Sequence, residues 1–185
     1  RWLELPEGME LEILEIRDAK SMASGYQRGM EQSNAKYKVY MHQDVFIINK
    51  YFIYDIISIF KSQGKVGLIG LIGSVKVPRN GVMWSEGRVG NWTEMIPWEG
   101  YRYDMEKDGG WEVEGVDGLL MATQYDIPWR EDLFDGWDFY DLAHCFEMKR
   151  GGIILWYLCK GIYGLSMTIK QRWHCGIIIN TGRFS

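Results

Sequence analysis

The chain has 185 residues, 46% hydrophobic and 25% charged, with a net charge of −4 at pH 7. That length suffices for one domain with a sizeable core, and the mildly acidic balance carries no nucleic-acid footprint. Cys145, Cys159 and Cys175 lack metal-ligand spacing, which argues against a disulfide framework or a zinc knuckle and for a reducing, cytoplasmic compartment.

In chain order, "RWLELP" reads as the end of a helix stopped by Pro6 and Gly8. "MELEILEIRDA" alternates apolar Leu11, Ile13 and Ile16 with glutamates and reads as a strand, ending in the polar run Arg17 to Ser21. "SMASGYQRGMEQS" predicts a helix capped by Ser21. Tyr37 to Ile48 follows as a buried strand, interrupted by His42, Gln43 and Asp44. His42 and Asp44, two residues apart, can both reach one divalent metal, and the same residues also suit a polar turn after a strand. "KYFIYDIISIFKSQG" is an amphipathic helix with Phe52, Ile53, Ile56, Ile57 and Phe60 on one face. "KVGLIGLIGS" is a short buried strand whose glycines allow close backbone approach.

Val77 to Gly110 has no strong period and reads as a long loop with short hairpin pieces. "WEVEGVDGLLMAT" reads as one strand with Asp117 and Gly118 at its middle, and "QYDIPWREDLFDG" as a loop. "WDFYDLAHCFEMKRGG" predicts a helix with Leu142, Phe146, Phe139 and Cys145 inward and His144 structural. The apolar run after Gly151 is broken by Lys160 and glycines, a poor membrane span. Strands alternating with helices give an α/β fold with a mostly parallel sheet.

Asp18, Asp44, Asp117, Asp138 and Asp141 all fall at expected strand or helix ends, where ligands of open α/β sheets bind. Such a set suits nucleotide-sugar transfer, in which carboxylates hold the nucleoside, hold a metal and take a proton. Most Asp residues instead cap helices or make turns, and Asp138 and Asp141 also suit a helix start. The 9 Trp and 11 Tyr give the amphipathic surfaces that sugar sites use and that plain cores use too.

The segments "KYKVYMHQDVFI" and "DGWDFYDL", with the residues around them from Trp2 to Arg150, resemble the glycosyltransferase-like domain related to family 2 transferases and to the StrF-type protein of streptomycin biosynthesis. The resemblance implies a GT-A fold, a nucleotide-diphospho-sugar donor and an acceptor hydroxyl. It places His42 and Asp44 at the metal motif, with Mn²⁺ or Mg²⁺ as the cofactor. Asp18, Lys20, Ser21 and Gln43 are expected on the donor. Asp117, Gly118 and Trp137 are expected on the acceptor. Asp138 is the expected catalytic base, with Asp141 the competing candidate.

The resemblance also implies a first strand ahead of Arg1 and a Trp-x-x-His-Asp element near the end. Residues 1–152 are expected as the transferase domain and 153–185 as an atypical tail. A shifted reading frame after Gly152 permits Val-Val-Pro and Trp-x-x-His-Asp, with several junctions allowed and not forced, so the tail is expected to be frame-shifted and not shaped to pack on this domain, with chance agreement the rival account. The alternative reading is a non-catalytic sugar- or nucleotide-binding remnant, or an inactive fragment of such an enzyme.

Overall fold

The computed structural model describes residues 3–43, 45–47, 49–83, 85, 87–90, 93–94, 110–158, 165–167 and 175–182. Its elements are β1 (Met9–Ile16), α1 (Met22–Glu31), β2 (Tyr37–His42), β3 (Val45–Ile47), α2 (Phe52–Ser62), β4 (Val66–Gly70) and β5 (Ile72–Ser74). There follow β6 (Arg88–Gly90), β7 (Thr93–Glu94), β8 (Trp111–Val113), β9 (Gly115–Val116), β10 (Leu120–Thr123), α3 (Tyr140–Arg150), β11 (Ile154–Tyr157), β12 (Leu165–Met167) and β13 (Cys175–Gly182).

The main sheet has seven strands in the order β1-β13-β2-β10-β4-β11-β8. Strands β1, β2, β4 and β11 run one way, and β13, β10 and β8 run the other. The expected α/β sheet flanked by helices is present, in mixed form: among the described residues β4 and β11 are its one parallel pair of neighbours. Two small sheets, β3-β12-β7 and β6-β5-β9, lie beside it.

Residues beyond 152 enter this main sheet. Strand β11 pairs with β4, and its Leu155 and Tyr157 are buried. Strand β13 lies between β1 and β2, antiparallel to both.

Helix α1 starts where Ser21 puts its Oγ on the Ser24 N–H at 3.1 Å, while Ser24 Oγ accepts the Ser21 N–H at 3.0 Å. This reciprocal cap satisfies two of the donors every helix start leaves open. The helix buries Met22, Ala23, Tyr26 and Met30 on one face of the sheet, and α3 buries Tyr140, Cys145 and Met148 on that same face. Helix α2 covers the other face with the five apolar residues its period marks out.

Several elements differ from expectation. Residues 3–6 are not helical. Leu5 precedes a proline, which disfavours the helical region, and the Glu4 N–H donates to the Lys50 carbonyl at 2.8 Å. In β1, Ile13 is 68% exposed, while Leu14 and Ile16 pack inward. Side chains alternate along a strand, so Ile13 and Ile16 cannot share a face.

The stretch from Tyr37 to Ile48 is two strands in different sheets, parted after His42. "WEVEGVDGLLMAT" is three strands, and Asp117 to Leu119 form the turn between β9 and β10. On α3 it is Tyr140, Leu142, His144, Cys145 and Met148 that are buried, while Phe139 and Phe146 are about half exposed. His144 stacks on Trp129 with ring centroids 3.7 Å apart, a packing role.

Candidate active site

The alternation of β2 decides what reaches the site. Val39 and Met41 join the α2 face. Tyr40 joins the α1–α3 face, and His42 ends the strand on that side, its Nε2 paired with the Tyr140 hydroxyl at 2.6 Å. The His42 N–H donates to the Leu119 carbonyl at 3.2 Å, which ties the end of β2 to the β9–β10 turn.

That turn is fixed from three sides. The Asp117 N–H donates to the Ile72 carbonyl at 2.8 Å, and Asp117 Oδ1 accepts the Leu119 N–H at 2.8 Å. The Gly118 N–H donates to Asp141 Oδ2 at 3.0 Å. Only glycine fits at this position, because a Cβ there would overlap the Tyr140 hydroxyl. The start of α3 is held in turn by Met22, whose N–H donates to the Gly136 carbonyl at 3.2 Å.

Between the end of β2, this turn and the start of α3 lies a pocket of about 390 Å³. His42, Asp117, Trp137, Asp138, Tyr140 and Asp141 supply its polar and amphipathic lining. Gly81, Val82, Met83, Phe139 and Leu142 complete the wall. The structure therefore gathers five of the residues expected from sequence: His42, Asp117, Trp137, Asp138 and Asp141. Gly118 lies just behind, buried under Tyr140.

The residues expected on the donor are not gathered with them. Ser21 is 1% exposed and caps α1. Asp18 stands exposed in a left-handed turn with φ 54°, and Lys20 and Gln43 are exposed; none of these four lines the pocket. Asp44 lies outside the described residues.

The three carboxylates have different surroundings. Burial, and then the nearby charge of Asp141, pushes the Asp117 carboxyl up from 3.8 to about 7. Asp141 is buried, and its pKa is raised by desolvation; the N–H groups of Leu142, at 2.7 Å, and Gly118 partly offset that, and the charge of Asp138 adds to it. Asp138 is exposed at the pocket mouth. Among the described residues no group of three or more His, Cys, Asp or Glu side chains converges on a metal position, and His42 Nε2 already faces the Tyr140 hydroxyl. The described residues thus do not make a complete metal site.

A model of the glycosyltransferase-like family matches residues 1–157, a span that contains every residue lining the pocket. The chain belongs to that family. The resemblance read from "KYKVYMHQDVFI" and "DGWDFYDL" holds at family level, and glycosyl transfer is the family's general activity. Comparison with curated proteins gives no match. No helix among the described residues is long and apolar enough to cross a membrane.

Sequence reasoning missed Tyr140 and the wall formed by Val82, Met83 and Phe139. Tyr140 stands inside the recognised "DGWDFYDL" segment, but nothing in its spacing links it to His42, 98 residues away. No local signal marks residues 81–83 at all.

Proposed function

We propose that this chain moves a sugar from a nucleoside diphosphate donor to an acceptor hydroxyl, with a GT-A arrangement and a finer kinship to StrF-type proteins. The supporting observation is the convergence of Asp117, Asp138 and Asp141 with His42 and Trp137 in one pocket. In the inverting course, the acceptor oxygen attacks the anomeric carbon and the bond to the diphosphate breaks. The electron pair leaves with the diphosphate, and the acceptor proton passes to a carboxylate.

Asp138 is the first candidate for that base, because its carboxylate is exposed on the pocket wall. Asp141 ranks second. Both of its oxygens accept backbone N–H groups, so it serves better to hold the β9–β10 turn against α3. Asp117 and Trp137 face the acceptor, and Asp117, poised near 7, accepts a hydrogen bond from its hydroxyl or donates one to it.

Asp18, Lys20, Ser21 and Gln43 belong to the donor side. The link from Met22 to Gly136 sets the start of α1 beside the pocket loop and supports that placement. The expected Mn²⁺ or Mg²⁺ draws on Asp44 together with His42, and no step here is routed through it. The cysteine usage supports a cytoplasmic setting.

The test is release of nucleoside diphosphate from a panel of uridine, guanosine and thymidine diphosphate sugars. Asp138→Asn is expected to cut turnover at least about hundredfold, as loss of a general base does, with the melting temperature unchanged. A variant that melts and turns over like the parent removes Asp138 from the mechanism. Donor binding without turnover in the parent chain would favour the remnant reading instead.

A further inference from the structure

Phe139 has φ 60° and ψ 0°, the left-handed region. A bulky side chain there is a genuine outlier, and such outliers persist where the surroundings hold them for a purpose. Its place in the fold does not call for this residue: it precedes α3 and offers no side-chain cap. The two adjacent aromatic residues part company as a result. Tyr140 is 5% exposed in the core, while Phe139 is turned out at 50%.

The ring stands on the pocket wall with Trp137 and Val82. Gly81 backs it so closely that a Cβ there would lie 3.5 Å from Phe139 Cε1. A single exposed phenylalanine is ordinary; a strained one in a pocket whose lining also carries three Asp is not. Among the described residues the pocket lining contains no Lys or Arg. A ligand held between aromatic rings and carboxylates is matched by one with an apolar face and hydroxyls. That is the chemistry of a sugar ring.

We infer that Phe139 is a specificity-determining residue: its ring, with Trp137, stacks on the apolar face of a pyranose, and because Asp138, the candidate base, lines the same pocket, that pyranose is the acceptor, a glycoside. This rests on the transferase reading above, and it adds the acceptor class and the residue that selects it.

The test uses methyl gluco-, galacto- and mannopyranosides as probes, sorbitol as the acyclic control, and uridine and guanosine to report stacking of a donor base. Binding is followed by saturation-transfer NMR. Phe139→Gly removes both the ring and the strain. It is expected to weaken pyranoside binding at least tenfold while the melting temperature holds or rises by about 2–4 °C, as relief of a left-handed position does. Phe139→Trp is expected to bind pyranosides within about threefold of the parent, since the stacking face is kept.

The inference is overturned if Phe139→Gly binds pyranosides as the parent does, if it melts lower, if it loses nucleosides instead, or if the parent binds no pyranoside. Donor turnover is measured on the same samples. Turnover in the parent together with any of these outcomes defeats the role of Phe139 and leaves the transferase reading standing. Absence of turnover with every donor defeats the transferase reading.

Discussion

On one side of the main sheet, Val39 and Met41 of β2 meet Phe52, Ile53, Ile56, Ile57 and Phe60 of α2. On the other side the same strand presents Tyr40 and His42 to Tyr26, Trp129 and Tyr140, and Lys38 to Asp126. The α2 side is mostly aliphatic, and its members are interchangeable in kind. On the opposite side most members have a named partner. Tyr26 packs on Tyr40, Trp129 and Tyr140 at centroid distances of 5.2, 4.9 and 5.7 Å. Lys38, 1% exposed, reaches both Asp126 oxygens, at 2.6 and 2.8 Å, and the Ala35 carbonyl at 2.9 Å. The aliphatic side holds the sheet together by burial alone. The polar and aromatic side sets directions, and the pocket lies at its end.

Four substitutions sharpen that contrast. The largest effect is expected on the aliphatic side. Ile56→Ala, at a site 2% exposed, should cost about 3 kcal/mol through lost burial and the cavity left behind. Urea unfolding should show a lower midpoint with an unchanged slope, and turnover per folded molecule should stay at the parent value.

Next comes Asp126→Ala. It leaves the Lys38 ammonium buried without its carboxylate, but water reaches the half-exposed Asp126 position, so the expected cost is about 2 kcal/mol, below the range for a fully buried pair. Lys38→Met should cost less than Asp126→Ala, because it removes the buried charge altogether. If the two variants unfold in the reverse order, Lys38 is not held there by Asp126.

The last effect has the opposite sign. With its folded pKa raised from 3.8 to about 7, Asp117 keeps a proton on the folded chain that the unfolded chain has already lost. Stability is therefore highest below the unfolded value and falls as pH rises through about 7. Asp117→Asn removes that fall, so the variant should be more stable than the parent at pH 8 and equal to it at pH 4. Thermal melts at the two pH values decide it. Acceptor turnover should fall in the same variant, the usual exchange of activity for stability at a site.

The same contrast explains what was legible in the sequence. The α2 face was readable because burial alone leaves a 3.6-residue period, and Ser21 was readable because a helix cap is a local event. The pocket members Asp117, Trp137, Asp138 and Asp141 came from polar residues at element ends and from the family resemblance. Tyr140 and Phe139 did not. On α3 the buried residues include Asp141 and His144, so polarity does not mark the outward face, and Phe139 and Phe146 were misread as core. Phe139 depends on a backbone angle that no residue type announces. The break of "WEVEGVDGLLMAT" into three strands comes from long-range bonds such as the one from Asp117 to Ile72, which no window on the sequence contains.

The placement of β13 bears on the order in which this chain can fold. A ribosome delivers β1 first and β13 last among the described strands, yet the backbone bonds of β1 to the main sheet run through β13 alone. Residues 9–16 and 37–42 therefore wait, as two unjoined strands, until residues 175–182 have emerged to lie between them. Closing contacts across so much chain is slow, and unpaired strand edges attract other chains meanwhile. During synthesis β2, β10 and β4 can pair as a unit while β1 remains unpaired. Stalling the ribosome before residue 175 should hold the nascent chain in that half-joined state, open to chaperones and to proteases cutting near β1.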